Sequence, residues 1–126
     1  MTAISPNRLK VAQSDELPEG GRIVVDIGAT TIGVFRTKNK LYAYRNTCPH
    51  QGGPVCQGLL IPRVVENLDD QKRAMGMSYD EDQLHIVCPW HGAEYVVATG
   101  EHVSVPRMKL SAFPVHEENG EIFVEI

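Results

Sequence analysis

No apolar run in this chain is long enough to cross a bilayer as a helix. The longest, "GLLI" and "YVVA", fall far short of the roughly 18–20 residues such a helix needs. The opening "MTAISPNRLKVAQSDELPEG" has neither a basic start leading into an apolar run nor a twin arginine. The chain is therefore expected to be a mature, soluble, cytoplasmic protein without a membrane anchor. A basic stripe is missing too. Asp and Glu number 16 against 12 Lys and Arg, a net charge of −4, which argues against a nucleic-acid surface. Cysteine is scarce and odd in number, three in all. With no export signal, a disulfide framework is not expected, and the thiols read as ligands or free groups. Internal repeats and low-complexity segments are also absent.

What is present is one domain's worth of chain, residues 1–126, with 42% apolar residues to build an interior. Glycine and proline punctuate short runs rich in Val, Ile, Tyr and Phe, which predicts an all-β domain. The expected strands are "GRIVVDIG", "TIGVFRTK", "KLYAYRN", "QLHIVCP", "AEYVVATG", "KLSAFPVHEE" and "GEIFVEI". Leu41, Ala43 and Arg45 alternate with Tyr42 and Tyr44, as on a strand with two different faces. "TKNKL" and "EENGEI" are turn signals, the second carrying the hairpin pair Asn119-Gly120.

One region departs from this pattern. Arg63 to Gln83 is a polar insertion holding six of the sixteen acids: Glu66, Asp69, Asp70, Asp80, Glu81 and Asp82. It reads as a solvated loop or a short surface helix through "DDQKRAM", capped by Asn67 or Asp69. The sharper alternative is a recognition surface for a partner.

The chemistry is concentrated in two segments, "NTCPHQGGPVC" and "VCPWHGAEY". Each supplies one cysteine and one histidine: Cys48-x-His50, then Cys88-x-x-His91, with 37 residues from Gln51 to Val87 between the hooks. A metal held here must accept both thiolate and imidazole. Zinc sites usually pair like with like, as C-x2–4-C and H-x3–5-H. One ligand of each kind per hook suits two metal ions side by side, one bound by both thiolates and the other by both imidazoles. A 2Fe–2S centre with two histidines on one iron has that ligand set.

With "CPHQGGPV", "CPWHGAEY" and the following "VSVPRMKLSAFPVHEENGEIFV", the chain resembles the Rieske iron–sulfur family, in particular its soluble ferredoxin-type branch. The likeness runs from about Arg22 onward. It implies an antiparallel β-sandwich or barrel-like domain with one 2Fe–2S cluster held at one tip by two loops, about 46–58 and 86–97. Cys48, His50, Cys88 and His91 would be the metal ligands. Pro49 and Pro89 stiffen these loops, while Gly52, Gly53 and Gly92 let backbone approach the cluster. Trp90, the single tryptophan, either packs under its loop or shields the site from water. By resemblance, "SVPRM" is a third covering segment with Pro106 nearest the site. His85, His102 and His116 belong to neither hook and read as structural or solvent-facing.

In the high-potential branch of the family, each loop carries an extra cysteine, and the pair forms a disulfide. Here Trp90 stands at the second position, so Cys56 is expected to be a small, partly buried free residue. That branch also has a serine where this chain has Ala93, and a tyrosine where it has Tyr95. One missing and one retained hydroxyl imply a low-to-intermediate potential, in the lower part of the roughly −150 to +300 mV range.

The favoured reading is a one-electron carrier with no catalysis of its own, passing electrons from a flavin-dependent reductase to a terminal oxygenase. A small subunit of a larger redox enzyme, such as nitrite reductase, and a non-redox zinc module are the alternatives. A catalytic oxygenase subunit is not expected at this length, since its iron needs a further 2-His-1-carboxylate domain. His50 and His91 would bind the outer iron near the surface, with reduction raising their pKa and coupling the electron to a proton.

Overall fold

The computed structural model describes residues 8–49, 52–68, 71, 74–90 and 92–126, and for residues 64–68 and 74–82 it describes backbone alone. These residues form ten strands: β1 (Arg8–Gln13), β2 (Arg22–Ile27), β3 (Thr30–Thr37), β4 (Lys40–Arg45), β5 (Leu59–Leu68), β6 (Ala74–Val87), β7 (Glu94–Val96), β8 (Ala112–Phe113), β9 (Val115–Glu118) and β10 (Glu121–Glu125). They pair antiparallel in three sheets, ordered β1-β10-β9, β2-β3-β4-β8 and β5-β6-β7. The all-β expectation and its antiparallel form are met.

The middle sheet faces a core on each side. On β3, Ile32 and Val34 enter one core and Phe35 the other. On β4, Leu41 and Ala43 take the first side, Tyr42 and Tyr44 the second. The alternation expected in "KLYAYRN" thus separates two apolar interiors rather than a core from solvent. One core joins the middle sheet to β1 and β10 through Ala12, Ile122 and Val124. The other contains Cys48, Val55, Cys56, Ile86, Cys88, Ala93, Tyr95, Val97 and Leu110, and is the floor of the site. Tyr44 ties these parts together, donating its hydroxyl to the Val97 carbonyl at 2.6 Å.

Both turn signals are realised. Lys38 and Asn39 take φ of 53° and 63° between β3 and β4, while Asn119 and Gly120 take 53° and 77° between β9 and β10. Two successive left-handed residues match the twist of paired strands. The Glu19 carboxylate accepts the Lys38 and Asn39 amides at 2.6 and 2.9 Å. Those two bonds hold its pKa below the usual carboxylate value.

Three expectations need correction. Arg63 to Gln83 is not a loop or a helix: β5 and β6 form a long hairpin, with Arg63 opposite Asp80 and Leu68 opposite Ala74. Residues 69, 70, 72 and 73 of the expected helical turn lie outside the described residues, but Ala74 and Met75 are strand. A two-stranded ribbon satisfies backbone donors and acceptors across the pair, so it does not require an apolar alternation. The register shifts by three residues between Pro62 and Arg63, where a proline without an N–H cannot serve the ladder. β1 lies in the N-terminal segment read as the mature start of the chain, where no strand was expected. "KLSAFPVHEE" is two strands, since the chain leaves the middle sheet at Pro114 and enters the other as β9.

Candidate metal centre

The two hooks sit at the ends of strands that meet the second core. The first follows β4 and ends in a 3-10 turn, Val55–Gln57; the second joins β6 to β7. They share one construction. The Cys48 amide bonds to the Gly53 carbonyl at 2.7 Å, and the Cys88 amide to the Ala93 carbonyl at 2.7 Å, five residues on in each case. The fourth residue after each cysteine is a glycine with left-handed φ, 74° at Gly52 and 68° at Gly92. Both therefore read Cys-Pro-x-x-Gly, a shared pattern visible in the sequence once the two segments are aligned on cysteine.

The loops touch at their tips. A Cβ on Gly53 would stand 2.8 Å from Trp90 Cγ, so only glycine allows the indole to lie there. Trp90 itself is 52% exposed, and it covers the first loop from outside rather than packing beneath its own.

Cys48 and Cys88 are each 1% exposed, and their thiols are within side-chain hydrogen-bonding reach of each other. Burial raises the Cys88 pKa, the Trp90 backbone amide opposes that shift, and the neighbouring Cys48 thiol adds to it. Two neutral thiols brought together in an apolar floor fit a metal cation, which displaces their protons and restores favourable electrostatics. This donor pair is what a 2Fe–2S cluster asks of its thiolate side. His50 and His91 lie outside the described residues.

Around the thiols, the fully buried Tyr95 places its hydroxyl 3.1 Å from Cys48 Sγ and 3.7 Å from Met108 Sδ. Ala93, also buried, brings no hydroxyl. In the "SVPRM" segment Pro106 is exposed, and the contact shown toward the site is that of Met108. Sequence reasoning missed this thioether because a lone methionine carries no spacing signal.

The histidines outside the hooks have structural partners. His85 is buried, with Nδ1 paired to Glu94 Oε2 and Nε2 2.7 Å from Gln83 Oε1. His102 Nδ1 accepts the Ser104 and Val105 amides at 3.0 and 3.1 Å. His116 stands 3.5 Å from Glu125 on the surface of β9.

Cys56 forms no disulfide, nor do Cys48 and Cys88. It is fully buried rather than partly, and burial pushes its pKa up to about 12. Its Sγ donates to the Tyr44 carbonyl at 3.5 Å, and its amide to Asn46 Oδ1 at 2.8 Å. A Cβ on Gly33 would stand 2.4 Å from Cys56 Cβ, so glycine in β3 is what admits this turn against the sheet. Arg22 caps the turn, donating to the Cys56 carbonyl at 3.0 Å and to the Gly58 carbonyl.

Comparison with known proteins agrees with this geometry. The family model for the Rieske 2Fe-2S domain matches residues 7–114. The 3-phenylpropionate/cinnamic acid dioxygenase ferredoxin subunits of Shigella flexneri and Escherichia coli are each 26% identical over 121 residues, 95% of this chain and 94% of theirs. Among solved structures, a chain of the complex of reduced oxygenase and oxidized ferredoxin in carbazole 1,9a-dioxygenase is 27% identical. It superposes with a TM-score of 0.67 over 96% of this chain and 94% of that one. A structure described as an NADH-dependent nitrite reductase small subunit from Mycobacterium tuberculosis has the same fold. It superposes with a TM-score of 0.67 at 15% identity over 94% of each chain.

Proposed function

This chain belongs to the Rieske 2Fe-2S family, and from that premise we propose that it is a ferredoxin-type one-electron carrier feeding a terminal oxygenase. The observation that carries the reading is the pair of buried thiols, Cys48 and Cys88, delivered by two loops of one construction beneath the Tyr95 hydroxyl. The fold likeness to a nitrite reductase subunit comes at 15% identity. The likeness to oxygenase ferredoxins comes with 26–27% identity over nearly the whole chain, and it decides between the two.

Family membership implies one 2Fe–2S cluster per chain. In this reading Cys48 and Cys88 hold one iron, and His50 and His91 the other. When bound, the cluster supplies a one-electron redox couple. With Cys48 a thiolate ligand, the Tyr95 hydroxyl 3.1 Å away would donate to its Sγ and favour the more negative, reduced state. Ala93, Tyr95 and Leu110 keep water from the inner side of the thiols. The amide-to-carbonyl bonds at Cys48–Gly53 and Cys88–Ala93 hold the loops in place, so little rearrangement accompanies a change of charge. Among the described residues, no helix is long and apolar enough to cross a membrane. The proposed compartment is the cytoplasm, where three cysteines outside any disulfide stay reduced.

The proposed donor is a flavin-dependent reductase, met through the loop tips and the acids of the β5–β6 hairpin. Asp80 is the last β6 residue paired before the three-residue register shift that leaves Glu81 and Asp82 without a β5 partner. Stopped-flow reduction by the reductase, then reoxidation by the oxygenase, tests the reading. Rates should fall as salt rises, since screening acts over about 10 Å at 0.1 M. Neutralising Asp80, Glu81 and Asp82 together should reproduce part of that fall. A protein that accepts no electron from a flavin reductase, or passes none to an oxygenase, would contradict it.

A further inference from the structure

His102 lies outside both hooks, yet two separate contacts converge on it. After β7 the chain turns back, and His102 pairs with Tyr95 in an isolated antiparallel bridge. Its imidazole stands edge-on to the Tyr95 ring, with centroids 5.3 Å apart and planes at 89°. Its Nδ1 accepts the amides of Ser104 and Val105, and its own amide donates to the Met108 carbonyl at 2.9 Å. The segment is closed further by the Met108 amide on the Val105 carbonyl at 2.8 Å. One side chain thus steadies the phenol ring and folds the loop that delivers Met108.

Both consequences meet at a single proton. Two sulfurs lie in reach of the Tyr95 hydroxyl, Cys48 Sγ at 3.1 Å and Met108 Sδ at 3.7 Å, and one O–H serves one of them well at a time. Tyr95 is fully buried, so the direction of its O–H follows from the packing around the ring. We propose that His102 is a positioning residue: it sets the ring of Tyr95 and the distance of Met108 so that the hydroxyl stays on Cys48 Sγ, and so raises the reduction potential. The inference rests on the reading of Cys48 as a cluster ligand. It adds a determinant that acts through Tyr95 and Met108 rather than as a ligand.

The two contacts of His102 can be separated by substitution. In His102→Asn, the side-chain oxygen can accept the amides two and three residues on, as in an Asx turn, but the ring contact is gone. In His102→Phe the edge-on ring contact remains, but the acceptor is gone. Amide hydrogen exchange across Ser104–Met108 in the holoprotein should match the wild type in the Asn variant and be at least tenfold faster in the Phe variant. The midpoint potential should fall partway in each and furthest in His102→Ala. In a Tyr95→Phe background, His102→Ala should produce no further shift, because the hydroxyl through which it acts is absent.

A merely structural turn-former would give a different pattern. An unchanged potential in all three variants, or the same shift with and without the Tyr95 hydroxyl, would overturn the proposal. Unaltered exchange in His102→Phe would overturn the loop half of it. If the alanine variant failed to retain its cluster, the Asn and Phe variants, each keeping one contact, would still decide. Failure of the cluster reading itself would show as missing iron and sulfide in the wild type, a result distinct from any exchange or potential difference among variants.

Discussion

Gly58 lies so close to the backbone of Val87 that a Cβ on it would stand 1.8 Å from the Val87 carbonyl oxygen. Gly58 follows the turn that ends the first hook, and Val87 precedes Cys88. This contact therefore fixes how near the bases of the two hooks come. Arg22 anchors the same residue, donating to the Gly58 carbonyl.

Gly58→Ala should force the strands apart, since the obstructing atom is backbone and cannot rotate away. We expect a loss of more than about 3 kcal/mol in stability, a fall of roughly 10 °C in the unfolding midpoint. Reduced metal retention should accompany it, because the thiols of Cys48 and Cys88 would part. Thermal unfolding and iron content measure the two effects. Alanine behaving like glycine in both would show that the strands are not held by this contact.

The hydroxyl of Tyr95 gives a second prediction. Removing one hydrogen bond to sulfur costs about 1 kcal/mol of differential stabilisation, which for one electron is about 40 mV. Tyr95→Phe should lower the midpoint potential by that order. Ala93→Ser should raise it, provided the new hydroxyl reaches a sulfur. Voltammetry of both variants at fixed pH is the measurement. An unchanged potential in Tyr95→Phe would mean that the 3.1 Å contact to Cys48 has no electrostatic consequence.

Much of this arrangement is legible in the sequence. The two Cys/His hooks, the hairpin turns at Lys38-Asn39 and Asn119-Gly120, and the two-faced alternation of β4 all have local signatures; the turns and the alternation are realised, and the two hooks bring Cys48 and Cys88 together. The β5–β6 hairpin is not legible, because its segment from Arg63 to Gln83 is polar and lacks alternation. Its strands depend on pairing with each other. Among the described residues β1 is paired only with β10, more than a hundred positions away, and its six residues carry no turn signal of their own. Within the site, the cysteines could be named from motif spacing, and Tyr95 from the family resemblance. Gly58, Met108 and His102 could not, since each matters through a neighbour remote in sequence or by direction alone.

The scaffold below the site carries a pH-dependent element. Arg36 donates to Glu117 Oε2 at 2.6 Å and Oε1 at 3.2 Å, joining β3 to β9. The Arg36 bond lowers the Glu117 pKa from 4.5 to about 2. A depressed carboxylate contributes stability that is fully present above pH 4.5 and lost as pH falls through 2. Glu117 is exposed at the surface, where solvent screens the pair, so the contribution is under about 1 kcal/mol. Glu117→Gln should flatten the acid limb of stability between pH 5 and 2 while leaving the neutral-pH spectrum unchanged. An identical acid limb in wild type and variant would remove this pair from the account.

The central claim is that Cys48, His50, Cys88 and His91 hold a 2Fe–2S cluster, with Cys56 no part of it. Iron and acid-labile sulfide, assayed together on protein produced with ample iron and intact cluster assembly, test it most directly. The account predicts two irons and two sulfides per chain in the wild type and in Cys56→Ser. It predicts neither in Cys48→Ser, Cys88→Ser, His50→Ala or His91→Ala. Stoichiometric zinc in the wild type, or loss of the cluster in a folded Cys56→Ser, would contradict it.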